Sequence, residues 1–158
     1  MPDKGKFVQL IEEHQGLINK VVFLYADDSE DRRDLKQEII GQAWGAFRNF
    51  RGESKFSTWL YRVALNTALS SLKRSSRQKE IKQTNASQEI SHPRVENELI
   101  EIVLSVLNPI EKSIVLLLVE GYAQKEIAQV LGISDGNTRT KIHRIRNKLD
   151  EYGIKDLA

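Results

Sequence analysis

Residues 124–149 read QKEIAQVLGISDGNTRTKIHRIRNKL, and the fold is decided in this stretch. Gln124 to Leu131 form a short predicted helix, with the small Ala128 where a second helix must cross closely. Gly132 follows at once, and a residue without a Cβ adopts the left-handed conformation that ends a helix at little steric cost. Ser134 then stands as the N-cap of a further helix. Helix, glycine turn and capped second helix at this spacing predict a helix-turn-helix, in which the second helix enters the major groove of duplex DNA.

The display of that second helix supports the same reading. On a wheel of roughly 100° per residue, Ile142, Ile145, Leu149 and Tyr152 gather on one side, which must face a core. The opposite side holds Gly136, Thr140, His143, Arg144 and Asn147, with Arg139, Lys141, Arg146 and Lys148 on its shoulders. Small and hydrogen-bonding residues between rows of cations match a helix lying between two phosphate backbones. Arg144 or Arg139 suits bidentate bonding to a guanine edge, and the flanking cations suit phosphates of any sequence. Compensation of the C-terminal helix dipole accounts for Arg146 and Lys148 but not for Arg139 and Lys141 near the start. His143 has no cysteine or second histidine nearby and is a poor zinc ligand.

Working towards the N-terminus, Asn108-Pro109-Ile110-Glu111 combines an N-cap, a proline at the first helical position and a glutamate at the third. The helix it starts runs through Ile114–Val119, apolar on every side as befits a helix surrounded by neighbours, and stops at Gly121. Leu99, Ile100, Val103, Val106 and Leu107 form a leading helix before it. From Ser75 to His92 the chain turns to Ser, Gln, Lys, Asn and Glu, which predicts a solvated, flexible linker.

The first part of the chain is helical too. Phe7, Leu10, Ile11, His14, Leu17, Ile18, Val21, Val22 and Tyr25 recur at spacings of three and four and predict one long amphipathic helix. Leu35, Ile39, Ala43, Phe47 and Phe50 mark a second helix ending at Gly52, and Phe56, Leu60, Val63, Ala64 and Thr67 a third. No strand alternation competes, so the expected fold is all-α, with two small helical domains on a tether.

Most of the aromatic residues fall between Trp44 and Tyr61, interleaved with or followed by Arg48, Arg51, Lys55 and Arg62, in a chain that is only 7% aromatic. Phe47, Phe50 and Phe56 are in phase with the apolar positions and read as core. Trp59, Arg62, Asn66 and Lys73 line a face away from Leu60, Val63 and Thr67, and an aromatic beside cations and an amide suits unpaired, stacked bases. The same residues also fit an ordinary core with a basic rim.

Composition narrows the classes. The 158 residues are 40% hydrophobic and 29% charged, a normal globular balance, and the net charge is only +2. Any nucleic-acid signal therefore rests on where the charges lie. The absence of cysteine excludes disulfides, thiolate zinc sites and cysteine nucleophiles. The first residues show no signal-peptide pattern, and the apolar run 114–119 is far short of the ~20 residues that span a bilayer. A cytoplasmic protein without membrane insertion is expected. No catalytic constellation, metal site or cofactor motif is present. A nuclease using Asp27, Asp28, Glu30 and Asp31 around a metal would need inward-facing carboxylates, of which a loop of near-consecutive acids gives no sign.

Two ordered sets of residues carry a family resemblance. Asp34-Leu35, Gln37-Glu38, Ala43-Trp44, Phe50 to Ser54, Phe56, Thr58 to Arg62, Ala64 and Asn66 resemble region two of the extracytoplasmic-function sigma factors of bacterial RNA polymerase. Glu126 to Ala128, Leu131 to Ser134, Gly136 and His143-Arg144 resemble region four of the same family. The resemblance implies region two over residues 1–74, a linker over 75–94 and region four over 95–158. It implies core RNA polymerase as partner, through its largest-subunit clamp helices and its flap, together with promoter DNA and, as in relatives, an anti-sigma factor.

By the same resemblance, Asp34, Gln37, Glu38 and Trp44 grip the polymerase clamp. Arg51, Gly52, Ser54, Lys55, Phe56, Thr58, Trp59, Arg62 and Asn66 capture a flipped base of the minus-10 element and hold the melted strand. Ser134, Gly136, Arg139, Thr140, Lys141, His143, Arg144 and Asn147 read the minus-35 element. After Gly136, Asn137 and Thr138 stand where the family usually has Thr-Val, so the start of the reading helix is more polar. Lys73 and Arg74 match no motif and are assigned to backbone contacts.

Overall fold

The computed structural model describes residues 3–82 and 98–154, and every regular element among them is a helix. The chain divides into two compact units, Met1–Pro93 and Arg94–Ala158.

In the first unit, α1 (Lys4–Glu13) and α2 (Gln15–Tyr25) stand where the periodicity predicts one long helix. The break is at His14, whose backbone leaves the helical region at φ −112° and ψ 21°. Its ring Nδ1 donates to Leu10 O at 2.7 Å, so the side chain bonds the last turn of α1. Both halves keep the apolar phase, and Phe7, Ile11, Ile18, Val21 and Val22 are all buried.

Asp28 caps α3 (Ser29–Phe47) by accepting from Asp31 N at 2.7 Å. Leu35, Ile39 and Ala43 of α3 meet Leu60, Ala64, Leu65 and Ala68 of α4, and together with α2 these helices enclose the core. Between α3 and α4 the chain turns through Gly52 at φ +73°, a conformation that costs glycine least.

α4 (Phe56–Lys82) does not stop where the sequence turns polar. It carries eight residues of the predicted linker, 75–82, as helix, while residues 83–97 lie outside the described residues. Polarity reports exposure rather than helicity, and residues 75–82 contain neither glycine nor proline to end a helix.

The second unit consists of α5 (Glu98–Val106), α6 (Pro109–Val119), α7 (Gln124–Leu131) and α8 (Asp135–Asp150). The capping box before α6 forms as the tetrapeptide predicts: Asn108 Oδ1 accepts from Glu111 N at 2.9 Å, and Glu111 Oε1 accepts from Asn108 N at 3.0 Å. Gly132 turns the chain between α7 and α8 at φ +69°. Ile114, Leu117, Ile127, Val130, Ile145 and Leu149 fill the core on which α6, α7 and α8 pack.

Two expectations are corrected here. α6 is not enclosed: Val115, Leu116 and Leu118 are half-buried and Val119 is 67% exposed, because so small a unit has too few elements to cover a helix all round. Tyr152 does not join the apolar side of α8, since the helix ends at Asp150, the phase is lost, and the ring is exposed. No helix among the described residues is long and apolar enough to cross a membrane.

Candidate nucleic-acid interface

The most sharply defined surface is α8. Ser134 Oγ accepts from Asn137 N at 3.1 Å and fixes the first turn. Gln124 Nε2 donates to Asp135 O at 3.3 Å, tying the start of α7 to the start of α8. The polar substitution Thr138 is fully buried, yet its Oγ1 donates to Ser134 O at 2.9 Å. A hydroxyl satisfied within its own helix adds no unmet polar group to the core, so the unusual polar start does not loosen the helix.

With Ile142, Ile145 and Leu149 buried, the other face is determined. Ser134, Gly136, Arg139, Thr140, His143, Arg144 and Asn147 are exposed, and Lys141 is half-buried. All the sequence-chosen reading residues therefore lie on the outward side or its shoulder. Thr140 Oγ1 donates to Gly136 O at 3.0 Å, leaving the oxygen's lone pairs outward.

One shoulder cation leaves the set. Lys148 Nζ lies 2.6 Å from Glu111 Oε1, and Glu111 is buried, so this lysine neutralises a carboxylate of α6. The same Glu111 oxygen serves the capping box, and a single residue thus joins the start of α6 to the last turns of α8.

In the first unit, α3 and α4 bring the aromatic residues together. Trp59 lies 5.2 Å from Phe50, 5.3 Å from Phe56 and 6.2 Å from Phe47, measured between ring centroids. All four rings are half-buried, so Phe47, Phe50 and Phe56 form a partly open cluster rather than a closed core. Phe7, 5.2 Å from Phe47, and His14, 4.9 Å from Phe56, join the cluster from α1 and its C-cap. Sequence reasoning placed both on a generic apolar face; their spacing of seven was the available signal.

Arg51, Gly52, Ser54 and Lys55 are exposed in the loop, and Arg62 and Asn66 are exposed along α4. With Trp59 they fall at i, i+3 and i+7 and share one helix face. Thr58 is half-buried at the start of that helix.

The acidic set on α3 is split. Asp34 and Gln37 are exposed, and Trp44, seven residues beyond Gln37, is 38% exposed with its ring 5.1 Å from Phe7. Glu38 turns towards α4 and forms an ion pair with Arg74. Arg74 is thus engaged by a carboxylate.

Asp27, Asp28, Glu30 and Asp31 are exposed, with Asp28 used as a helix cap. No group of three or more acidic or histidine side chains among the described residues is arranged to hold a metal ion.

Comparison with known proteins matches both units in order. The sigma-70 region 2 family matches residues 10–78 and the sigma-70 region 4 family residues 98–149. The chain is 30% identical to the ECF RNA polymerase sigma-E factor of Escherichia coli (strain K12), covering 94% of this chain and 86% of that protein. It is 27% identical to the RNA polymerase sigma-H factor of Pseudomonas aeruginosa over the same shares of each.

Two solved structures share the fold. The sigma factor RpoE in complex with the anti-sigma factor NepR from Bartonella quintana superposes with a TM-score of 0.74 at 18% identity, covering 92% of this chain and 95% of that one. CnrH in complex with the cytosolic domain of CnrY gives 0.65 at 23% identity, covering 95% and 88%. With its two helical units matched in sequence order and a relative 30% identical along nearly its whole length, the chain belongs to the extracytoplasmic-function (ECF) family of RNA polymerase sigma factors, proteins of transcription initiation.

Proposed function

We propose that this protein is a promoter-specificity subunit that binds core RNA polymerase, reads a minus-35 element with α8 and a minus-10 element with residues 51–66, and helps open the DNA. The outward face of α8 carries the reading: its apolar side is locked in the core, so Arg139, Thr140, His143, Arg144 and Asn147 are held facing solvent. The half-buried Trp59 beside Arg62 and Asn66 supports a platform for the melted strand. Asp34, Gln37 and Trp44 form the proposed contact with the clamp of the largest subunit, and Glu38 joins them by exchanging Arg74 for the polymerase. The second unit is proposed to meet the flap.

The protein catalyses nothing itself and acts in the cytoplasm, where its polymerase is. One solved relative is held by the anti-sigma factor NepR, which supports an anti-sigma partner here as well.

The test mixes the purified chain with core polymerase lacking its own specificity subunit and sequences the transcript starts made from genomic DNA. Discrete starts sharing two upstream motifs are expected. Duplex binding without polymerase binding would instead mark a stand-alone helix-turn-helix regulator.

A further inference from the structure

Most of the surface proposed to meet the polymerase clamp stands open, but one member of it is occupied. Asp34 and Gln37 are exposed, whereas the Glu38 carboxylate is held by the guanidinium of Arg74, 36 positions further along the chain. Both side chains remain partly in water, Glu38 at 32% and Arg74 at 61% exposure. Arg74 is steady opposite α3 because α4 does not end with its apolar pattern. The helix runs on to Lys82, so Arg74 sits about two turns inside it rather than at a fraying end.

The pair does little to hold the fold. α3 and α4 already meet through Leu35, Ile39, Ala43, Leu60, Ala64 and Leu65, all buried, and an exposed ion pair adds little to such a core. Lys148 on Glu111 is the contrast, since that carboxylate is buried and losing its cation is costly.

We propose that Arg74 is an intramolecular competitor of core RNA polymerase, an autoinhibitory latch that occupies Glu38 in the free chain and lowers its affinity for the enzyme. Asp34 and Glu38 are acidic and lie one helical turn apart, so the surface they form favours a partner that offers cations or N–H donors. A guanidinium already on Glu38 meets the same need. It uses hydrogen-bonding capacity of the carboxylate and cancels its attraction for a second cation. Polymerase then takes the molecules in which the latch is open, and the apparent affinity falls by that fraction. Exposed pairs are weak, which sets the effect at about two- to sixfold. The solvent around both side chains lets the enzyme displace Arg74 without unfolding either helix. The inference rests on the proposed reading of Glu38 as a clamp contact.

The experiment titrates core polymerase with the full chain, without DNA, as wild type, Arg74→Gln, Glu38→Gln and the double variant. Arg74→Gln is expected to bind about two- to sixfold more tightly than wild type, a gain that damage to the fold does not produce. Arg74→Lys, which keeps a cation for Glu38, stays nearer to wild type. In the Glu38→Gln background, Arg74→Gln brings no gain. Raising the salt from about 0.1 M to about 1 M shrinks the gain towards none, because screening opens the latch of the wild type as well.

An Arg74→Gln chain that binds no more tightly than wild type overturns the latch. So does an equal gain in the Glu38→Gln background, which would mean that Arg74 repels the enzyme directly. The clamp reading is tested separately, by comparing Arg74→Gln with the double variant, where no latch exists. If loss of the Glu38 carboxylate costs no affinity there, Glu38 is not a clamp contact and the latch falls with that reading. If it does cost affinity while Arg74→Gln alone matches wild type, the clamp reading stands and only the latch is removed.

Discussion

Arg146 and Lys148 stand two residues apart on α8, yet only Lys148 is held by another helix. Arg146 is exposed, whereas Lys148 is bound to the buried Glu111. Arg146→Ala is therefore expected to lower the slope of log affinity against log salt by about one on duplex DNA. Lys148→Ala leaves that slope unchanged and lowers the melting temperature instead, because Glu111 stays buried without its cation. Its cost is about 2 kcal/mol, below the usual figure for a broken buried pair because Lys148 is partly solvated. Salt titrations and thermal melts of both variants check the division. At the reading face, Arg144→Ala is expected to weaken binding to the upstream element by about 1–3 kcal/mol. Trp59→Ala leaves duplex affinity within about twofold and impairs strand opening, read by permanganate reactivity of unpaired thymines. Equal losses of both steps in either variant would contradict this assignment. The outward face of α8 was legible in the sequence because its phase follows from the helix period. Lys148 was not, since its partner is 37 positions away and only the packed helices bring the two together.

Among elements, those with local signals were legible. The capping box before α6, the left-handed Gly132 and the Ser134 cap are each written within a few residues, and each forms as read. The break at His14 was hidden because the apolar phase continues across it, and the extent of α4 was hidden because a polar helix and a polar linker look alike in composition. The start of α3 gives a prediction of its own. Loss of hydration, followed by the nearby Asp28, Asp34 and Asp27, raises the carboxyl of Asp31 above its ordinary value. A carboxyl raised in the folded state holds its proton more firmly there than in the unfolded chain. Its contribution to stability is thus full at pH below the unfolded value and is lost as pH rises through the raised one. Asp31→Asn is expected to raise the melting temperature at neutral pH, with the gain shrinking towards zero near pH ~3. A gain equally large in acid would remove the charge repulsion as its cause.

Across the whole molecule, the two units differ in how well each closes its core. The first surrounds Ile18, Val21, Ile39, Leu60 and Leu65 with three helices, and α4 extends about 40 Å at 1.5 Å per residue. The second is a domain of roughly sixty residues, a size at which only about 60% of the unfolded chain's surface is buried. Its α5 has no fully buried residue, and Val119 of α6 stands open. Calorimetry of the intact chain is expected to show two transitions, the lower belonging to the second unit. A short duplex bearing the upstream element should raise that lower transition alone. One cooperative transition, shifted as a whole by duplex, would refute this. Warming then removes abilities one at a time. Under the proposed division of labour, a molecule between the two midpoints would still occupy polymerase without its duplex address, and in that interval it would be a competitor for the enzyme rather than an initiator.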